Sequence, residues 1–171
     1  MAEIVLCCGK VCSGKSTYAR RLEAERGFLL LSADEWMLRL NGEIADREEF
    51  ADKLSRCKAL IADLALDLLA RGIDVVLDSG FWTREERTEA RALFAKAGHR
   101  VSLLHFALPD ERQRANLATR NGGPAGFHYA FDEATVLQLN RLFEAPDEDE
   151  GALSPAEHSE SLGRTSGQGA G

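Results

Sequence analysis

The 171-residue chain predicts an α/β domain in three layers, with a mainly parallel central sheet and helices on both faces. Three observations carry that expectation. Short apolar runs alternate with amphipathic stretches, glycines stand at helix stops (Gly27, Gly72 and Gly98), and a glycine-rich loop separates the first apolar run from the first helical stretch. The composition, 44% hydrophobic and 29% charged, is that of one soluble domain. A chain of about 150 residues buries roughly 68 to 70% of its unfolded surface, so neither a metal nor a disulfide is needed to hold it.

Ile4 to Cys8 reads as a strand ending at Gly9, and Ser16 to Arg26 as a helix stopped by Gly27. Phe28 to Leu31 is too short for a helix and closes in Ser32-Ala33-Asp34, so it reads as a strand buried on both faces. From Arg47 to Arg71 the apolar positions Phe50, Leu54, Cys57, Ile61, Leu64 and Leu68 recur every three or four residues, which is a long amphipathic helix before Gly72. Ile73 to Leu77 is a third strand, ending in Asp78-Ser79-Gly80. Thr83 and Glu86 form a capping box for a helix to Ala97. Val101 to Leu108 is a fourth strand, followed by a helical stretch from Asp110 to Asn121, a Gly122-Gly123-Pro124 turn and a last helix from Asp132 to Phe143. After Pro146 aliphatic residues almost vanish, and residues 147–171 read as a disordered tail, acidic and then rich in Gly and Ser.

In parallel sheets ligands bind beyond the carboxyl ends of the strands, where Gly9, Asp34 and Asp78 all fall. Gly9-Lys10-Val11-Cys12-Ser13-Gly14-Lys15-Ser16 has the spacing GxxxxGKS, with Thr17 following. Glycines let a backbone turn tightly and present its N–H groups to phosphate oxygens, and the helix N-terminus behind them adds a favourable dipole. Lys15 supplies a charge to the β- and γ-phosphates, and the Ser16 hydroxyl suits Mg²⁺. A nucleoside triphosphate, ATP, is the expected cofactor together with Mg²⁺.

Over about residues 1 to 145 the chain resembles the small P-loop kinases, a group that includes polynucleotide 5′-kinases, chloramphenicol phosphotransferases, zeta-toxin-type kinases and relatives labelled AAA family ATPases. GKVCSGKST, LSADEWM, VVLDSGFWTREER and ERQRANLATRN carry the resemblance. It implies the kinase-type P-loop fold over residues 1–146, with a lid at about residues 110–131. It also implies a role for Asp34 in accepting the proton of the acceptor hydroxyl, one for Asp78 beside the metal or the acceptor, and lid roles for Arg112, Arg114 and Arg120 on the ATP phosphates. Asn116 stands where relatives often carry another Arg. No motor-type Walker B glutamate or arginine-finger region is found, which disfavours a motor ATPase.

Each residue also has a plainer reading. Ser32 to Glu35 is itself a capping pattern around Asp34, Asp78 begins a turn with Ser79-Gly80, and charges on a helix are usually a solvated face. Trp36, Phe81 and Trp82 follow the two aspartates and suit either stacking on an acceptor or core packing. His99, His105 and His128 show no catalytic or metal spacing. Cys7 and Cys8 point to opposite faces of a strand; with Cys12 and Cys57 they read as reduced thiols, a redox switch at Cys12 being the functional alternative.

The expected activity is transfer of the ATP γ-phosphate to a hydroxyl of a small-molecule or nucleotide-like acceptor. The alternatives are a nucleic-acid 5′-hydroxyl kinase or a nucleotide-binding regulatory module. Nucleic acid is less favoured because the basic surplus is modest: eight Lys or Arg against five Asp or Glu between Arg84 and Arg120. The net charge of -7 is concentrated in residues 144–171, which hold seven acids against Arg164, so the remainder is nearly neutral. The first apolar run is far too short for a membrane span, and a cytoplasmic protein without a membrane partner is expected. Neither the acceptor nor the oligomeric state is legible.

Overall fold

In the computed structural model, which describes residues 1–122 and 129–166, β1 (Glu3–Cys8) is buried along its whole length. Alternation of side chains across a strand divides it between two cores. Ile4, Leu6 and Cys8 pack on one face with Val75, Leu77 and Leu103, while Val5 and Cys7 pack on the other with Val76 and Leu104. The sheet order is β2-β3-β1-β4, with β2 (Leu29–Ser32), β3 (Val75–Gly80) and β4 (Arg100–His105), and every pairing is parallel. The first core is covered by α2 (Ala33–Asn41), α3 (Arg47–Ala70) and α4 (Arg84–Lys96), through Met37, Ile61 and Phe94 among others. The second is covered by α1 (Lys15–Arg26), through Tyr18, Ala19 and Leu22. The expected three-layer fold is the observed one.

Local signals set the element boundaries. Ser32 caps α2 by accepting from the Glu35 N–H, Asp46 caps α3, and the Thr83–Glu86 capping box begins α4. The buried stripe of α3 is Cys57, Ile61, Ala65 and Leu69, one helical turn apart. β4 ends three residues earlier than expected, at His105 rather than Leu108. Its partner β1 ends at Cys8, aligned with His105, and the next residue turns into the glycine-rich loop, so nothing is left to pair with. After α5 (Asp110–Gly122), α6 (Glu133–Asn140) is capped by Asp132 and stops short of Phe143.

The C-terminal segment differs most from expectation. Residues 147–166 do not form a disordered tail: Glu148–Glu150 is a 3₁₀ turn, Leu153 bridges to Leu104 of β4, and α7 (Pro155–Ser166) lies against the α1 face. Residues 167–171 lie outside the described residues. Composition misses this segment because polar contacts hold it. Arg87 of α4, 0% exposed, takes both carboxylate oxygens of Glu150 at 2.6 and 2.8 Å. Arg84 pairs with Asp147 at 2.7 Å and with Asp149, and Arg91 donates to the Glu150 carbonyl. The acids of the segment therefore meet an arginine stripe on α4. Farther along, the fully buried His158 places Nε2 3.2 Å from Glu3 and Nδ1 2.9 Å from the Tyr18 hydroxyl.

Two consequences are measurable. A chain ending at Pro146 leaves Arg87 buried without its carboxylate, a loss on the order of 3–5 kcal/mol, and its Tm should fall by roughly 10 °C or more; a disordered tail would leave Tm unchanged. The Arg87 hydrogen bonds hold the Glu150 carboxyl below 4.5, against burial. Burial pushes Glu3 up, but hydrogen bonds from His158, Ser102 and Arg100 outweigh it and bring Glu3 below 4.5 as well. Because the folded values lie below the unfolded ones, the stabilisation is complete above 4.5 and is lost as pH falls through the folded values. Acid titration followed by circular dichroism should show stability falling below that pH in the full chain and less steeply in Glu150→Gln.

Candidate active site

Strand register brings the site together. Ser32 aligns with Asp78 across β2 and β3, and Cys8 aligns with Gly80 and His105 across its two neighbours, so the carboxyl ends lie on one edge. β1 leaves that edge at Gly9, where an added Cβ would stand 2.8 Å from Ser13 Oγ and 3.0 Å from the Phe106 carbonyl oxygen. The loop returns at Gly14, whose φ of 96° suits glycine, and α1 begins at Lys15. Cys12 has a φ of 59° and Phe81, just past β3, a φ of 44°, conformations that non-glycine residues adopt at a cost.

Within this loop Lys15 Nζ donates to the carbonyls of Gly9 at 2.8 Å and Lys10 at 2.6 Å, and lies 3.4 Å from Ser13 Oγ. The Ser16 hydroxyl donates to Asp78 Oδ2 at 2.6 Å. The two residues named for metal binding are thus in contact, and hard oxygen donors of this kind, one hydroxyl beside one carboxylate, fit Mg²⁺ that keeps most of its waters. Lys10 Nζ lies 3.1 Å from Asp110 of α5, and Thr17 is exposed in the first turn of α1.

Asp34, in the first turn of α2, is open to solvent. Desolvation by the surrounding protein raises its pKa, Asp78 adds to the rise, and Lys15, Arg120 and Lys58 oppose it. Burial lowers the Lys15 pKa against the charges of Asp78 and Asp34. The three predicted residues are electrostatically one group. Burial raises the thiols of Cys7, and of Cys8 to about 11, which keeps both protonated near neutral pH.

The lid arginines separate. Arg120 turns toward the loop, with Nη1 3.7 Å from Cys12 Sγ and its guanidinium 5.4 Å from the Phe131 ring centroid. Its Nε is buried without a partner among the described residues, as is the Tyr129 hydroxyl. Arg114 instead lies 3.6 Å from Glu133 of α6, both exposed, and Arg112 is exposed, so neither is brought to the loop. Two further residues of α5 reach the loop, neither of them given a role from the sequence: Gln113 Nε2 donates to the Val11 carbonyl at 2.7 Å and Asn116 Nδ2 to the Cys12 carbonyl at 2.9 Å. The available signal was helical phase, since Gln113, Asn116 and Arg120 share one face of α5.

Phe81 is a core residue, while half-buried Trp82 packs with the Val11–Leu117–Val136 cluster and Trp36 packs at the margin of the first core. Tyr129 lies between Phe50 and Phe131, with ring centroids 5.7 and 6.3 Å away. His105 stacks on Phe143. His128 and the Gly123-Pro124 part of the turn lie outside the described residues. Among the described residues no helix is long and apolar enough to cross a membrane.

A Walker-type loop at the head of a parallel sheet, with carboxylates at the ends of both strands beyond it, defines a P-loop nucleotide-binding protein of the kinase type. The family model described as an AAA domain matches residues 4–146, and the chain belongs to that family. Solved structures agree in fold. A sugar kinase from Janibacter sp. is similar at 16% identity and a TM-score of 0.63, over 95% of this chain and 92% of that one. A gluconokinase from Sinorhizobium meliloti is similar at 16% identity and a TM-score of 0.62, over 90% and 81%. Chaetomium thermophilum Kti12, solved with ADP-AlF3, is similar at 18% identity and a TM-score of 0.61, over 84% and 81%. No curated protein matches the chain in sequence.

Gly9→Ala tests the loop geometry. The added methyl group would meet Ser13 Oγ and the Phe106 backbone, so the loop must move. Calorimetric titration should find Mg·ADP bound at least roughly tenfold more weakly with the fold retained; an unchanged affinity would show that the close approach is not needed.

Proposed function

We propose that the protein is an ATP- and Mg²⁺-dependent kinase that phosphorylates a hydroxyl group of a small-molecule acceptor. The observation that carries this reading is Asp34: a solvent-open carboxylate one strand from Asp78 and within electrostatic reach of both Lys15 and Arg120. Phosphoryl transfer asks a protein chiefly for position and charge. The amides of residues 9 to 17 and the Lys15 ammonium hold the phosphates. Ser16 and Asp78 would hold Mg²⁺, which neutralises charge on the β- and γ-oxygens when bound. Arg120, with an unpartnered buried Nε, closes on the phosphates from α5.

Asp34 orients the acceptor hydroxyl. As its oxygen bonds to the γ-phosphorus, the bond from that phosphorus to the β,γ-bridging oxygen breaks. ADP leaves with the electron pair, and the hydroxyl proton passes to the Asp34 carboxylate. The charge pattern supports a small acceptor over a polynucleotide. Arg84 and Arg87 are paired with the C-terminal segment and Arg100 with Glu3, so much of the basic surplus seen in the sequence is neutralised within the chain. Arg114, paired with Glu133, is left out of the transfer.

The test is a screen of hydroxyl-bearing metabolites monitored by ADP formation. Lys15→Ala should weaken nucleotide binding by roughly a hundredfold or more. Asp34→Asn should bind Mg·ATP within about twofold of wild type yet lose roughly 10²- to 10⁴-fold in acceptor-dependent turnover. Full turnover in Asp34→Asn sinks the base assignment, and nucleotide binding without any acceptor-stimulated ADP would favour a regulatory module. A base must be deprotonated to act, and the Asp34 pKa is raised from 3.8, so the acid limb of kcat/KM should fall above that value and vanish in Asp34→Asn.

A further inference from the structure

A phosphate-binding loop turns N–H groups inward, and because the trans peptide sets C=O and N–H antiparallel, its carbonyls must point outward and find partners. Three of these carbonyls have partners in or next to the loop. Gly9 and Lys10 accept from Lys15 Nζ, Lys10 also accepts from the Ser13 N–H at 3.3 Å, and Gly14 accepts from the Tyr18 N–H at 3.0 Å. The carbonyls of Val11 and Cys12 are instead taken by side-chain amides of α5, Gln113 at 2.7 Å and Asn116 at 2.9 Å. Gln113 is 3% exposed and is fixed by a reciprocal amide pair with Asn140 of α6, at 3.0 and 2.8 Å. Between the two clamped carbonyls lies Cys12 with its φ of 59°.

We propose that Gln113 and Asn116 are positioning residues that hold the phosphate-binding loop in its binding shape before the nucleotide arrives. With the Val11 carbonyl drawn to α5, the Cys12 N–H faces the hollow of the loop. With the Cys12 carbonyl drawn the same way, the Ser13 N–H faces Lys10 and closes the turn. The left-handed conformation of Cys12 supplies the reversal between these two peptides, and its cost is met by the two amide hydrogen bonds. α5 thus acts in two ways, through Arg120 toward the phosphates and through its amides on the backbone that cradles them. The inference rests on the nucleotide-binding reading above and adds residues that reading does not need.

Calorimetric titration of Mg·ADP into wild type, Gln113→Ala, Asn116→Ala and the double variant decides it, with thermal melts of the nucleotide-free proteins and with Thr119→Ala, exposed on the same helix, as control. Each single variant should bind roughly tenfold more weakly, and Asn116→Ala, at a half-buried position, should do so with a nearly unchanged Tm. Thr119→Ala should match wild type. Adding Cys12→Gly to Asn116→Ala should recover part of the lost affinity, since glycine adopts the left-handed conformation freely, a response a merely structural role would not produce. Should Gln113→Ala fail to fold, Asn116→Ala alone decides. Affinities within twofold of wild type in the folded variants overturn the inference and leave the kinase reading standing. Failure of wild type to bind Mg·ADP overturns both.

Discussion

A guanidinium that is wholly buried must be paired and hydrogen-bonded, and Arg87 meets that condition by tying four parts of the chain to one point. Its donors reach Cys8 at the end of β1, the carbonyls of Phe81 and Trp82 beyond β3, the Glu144 carbonyl and the Glu150 carboxylate. The places it joins are the exits of the two central strands and the return of the C-terminal segment. Phe81 can be held at a positive φ beside the site because its carbonyl is bound and its ring is buried in the first core. The C-terminal segment in turn supplies the Leu153 bridge to the outer side of β4 and the helix that covers part of the second face.

The candidate site is assembled on that rigid edge. Parallel register delivers Gly9, Asp34 and Asp78 together, and the charges of Asp34, Asp78 and Lys15 act on one another. Lys15 is bound to loop carbonyls and Ser16 to Asp78, so both side chains are already placed. Arg120 and Tyr129 each bring a buried polar atom with no partner among the described residues. Groups arranged in this way present donors and charges that are already in place at the sheet edge.

Most of the fold could be read from local pattern. The capping residues Ser32 and Thr83, the spacing of Cys57 and Ile61, and the glycine stop at Gly27 each act within a turn or two of helix, so their physics is contained in a short window. The loop and both aspartates were legible for the same reason. Arg114 was not separable from Arg120 by residue type, because only the phase of α5 against the loop decides which side chain faces it. Gln113 was not named and Asn116 was noted only as a missing Arg, since amides carry no charge signal and only their phase on α5 marks them. The end of β4 depended on where its neighbour turned away.

The segment from Asp147 onward marks the division most clearly. Its composition is acidic and poor in aliphatics, which by itself describes a chain unable to form a core. Docked, it needs only a few anchors, Glu150, Leu153, His158 and Leu162, because α4 presents Arg84, Arg87 and Arg91 and the sheet presents Glu3 and Tyr18. The sequence by itself determined the elements, the phosphate-binding loop and the carboxylates at the strand ends, since these follow from spacing and local conformation. Tertiary structure alone decided which charges were neutralised inside the chain, which face of α5 meets the loop and whether the last residues fold. Those outcomes rest on contacts between groups scores of residues apart.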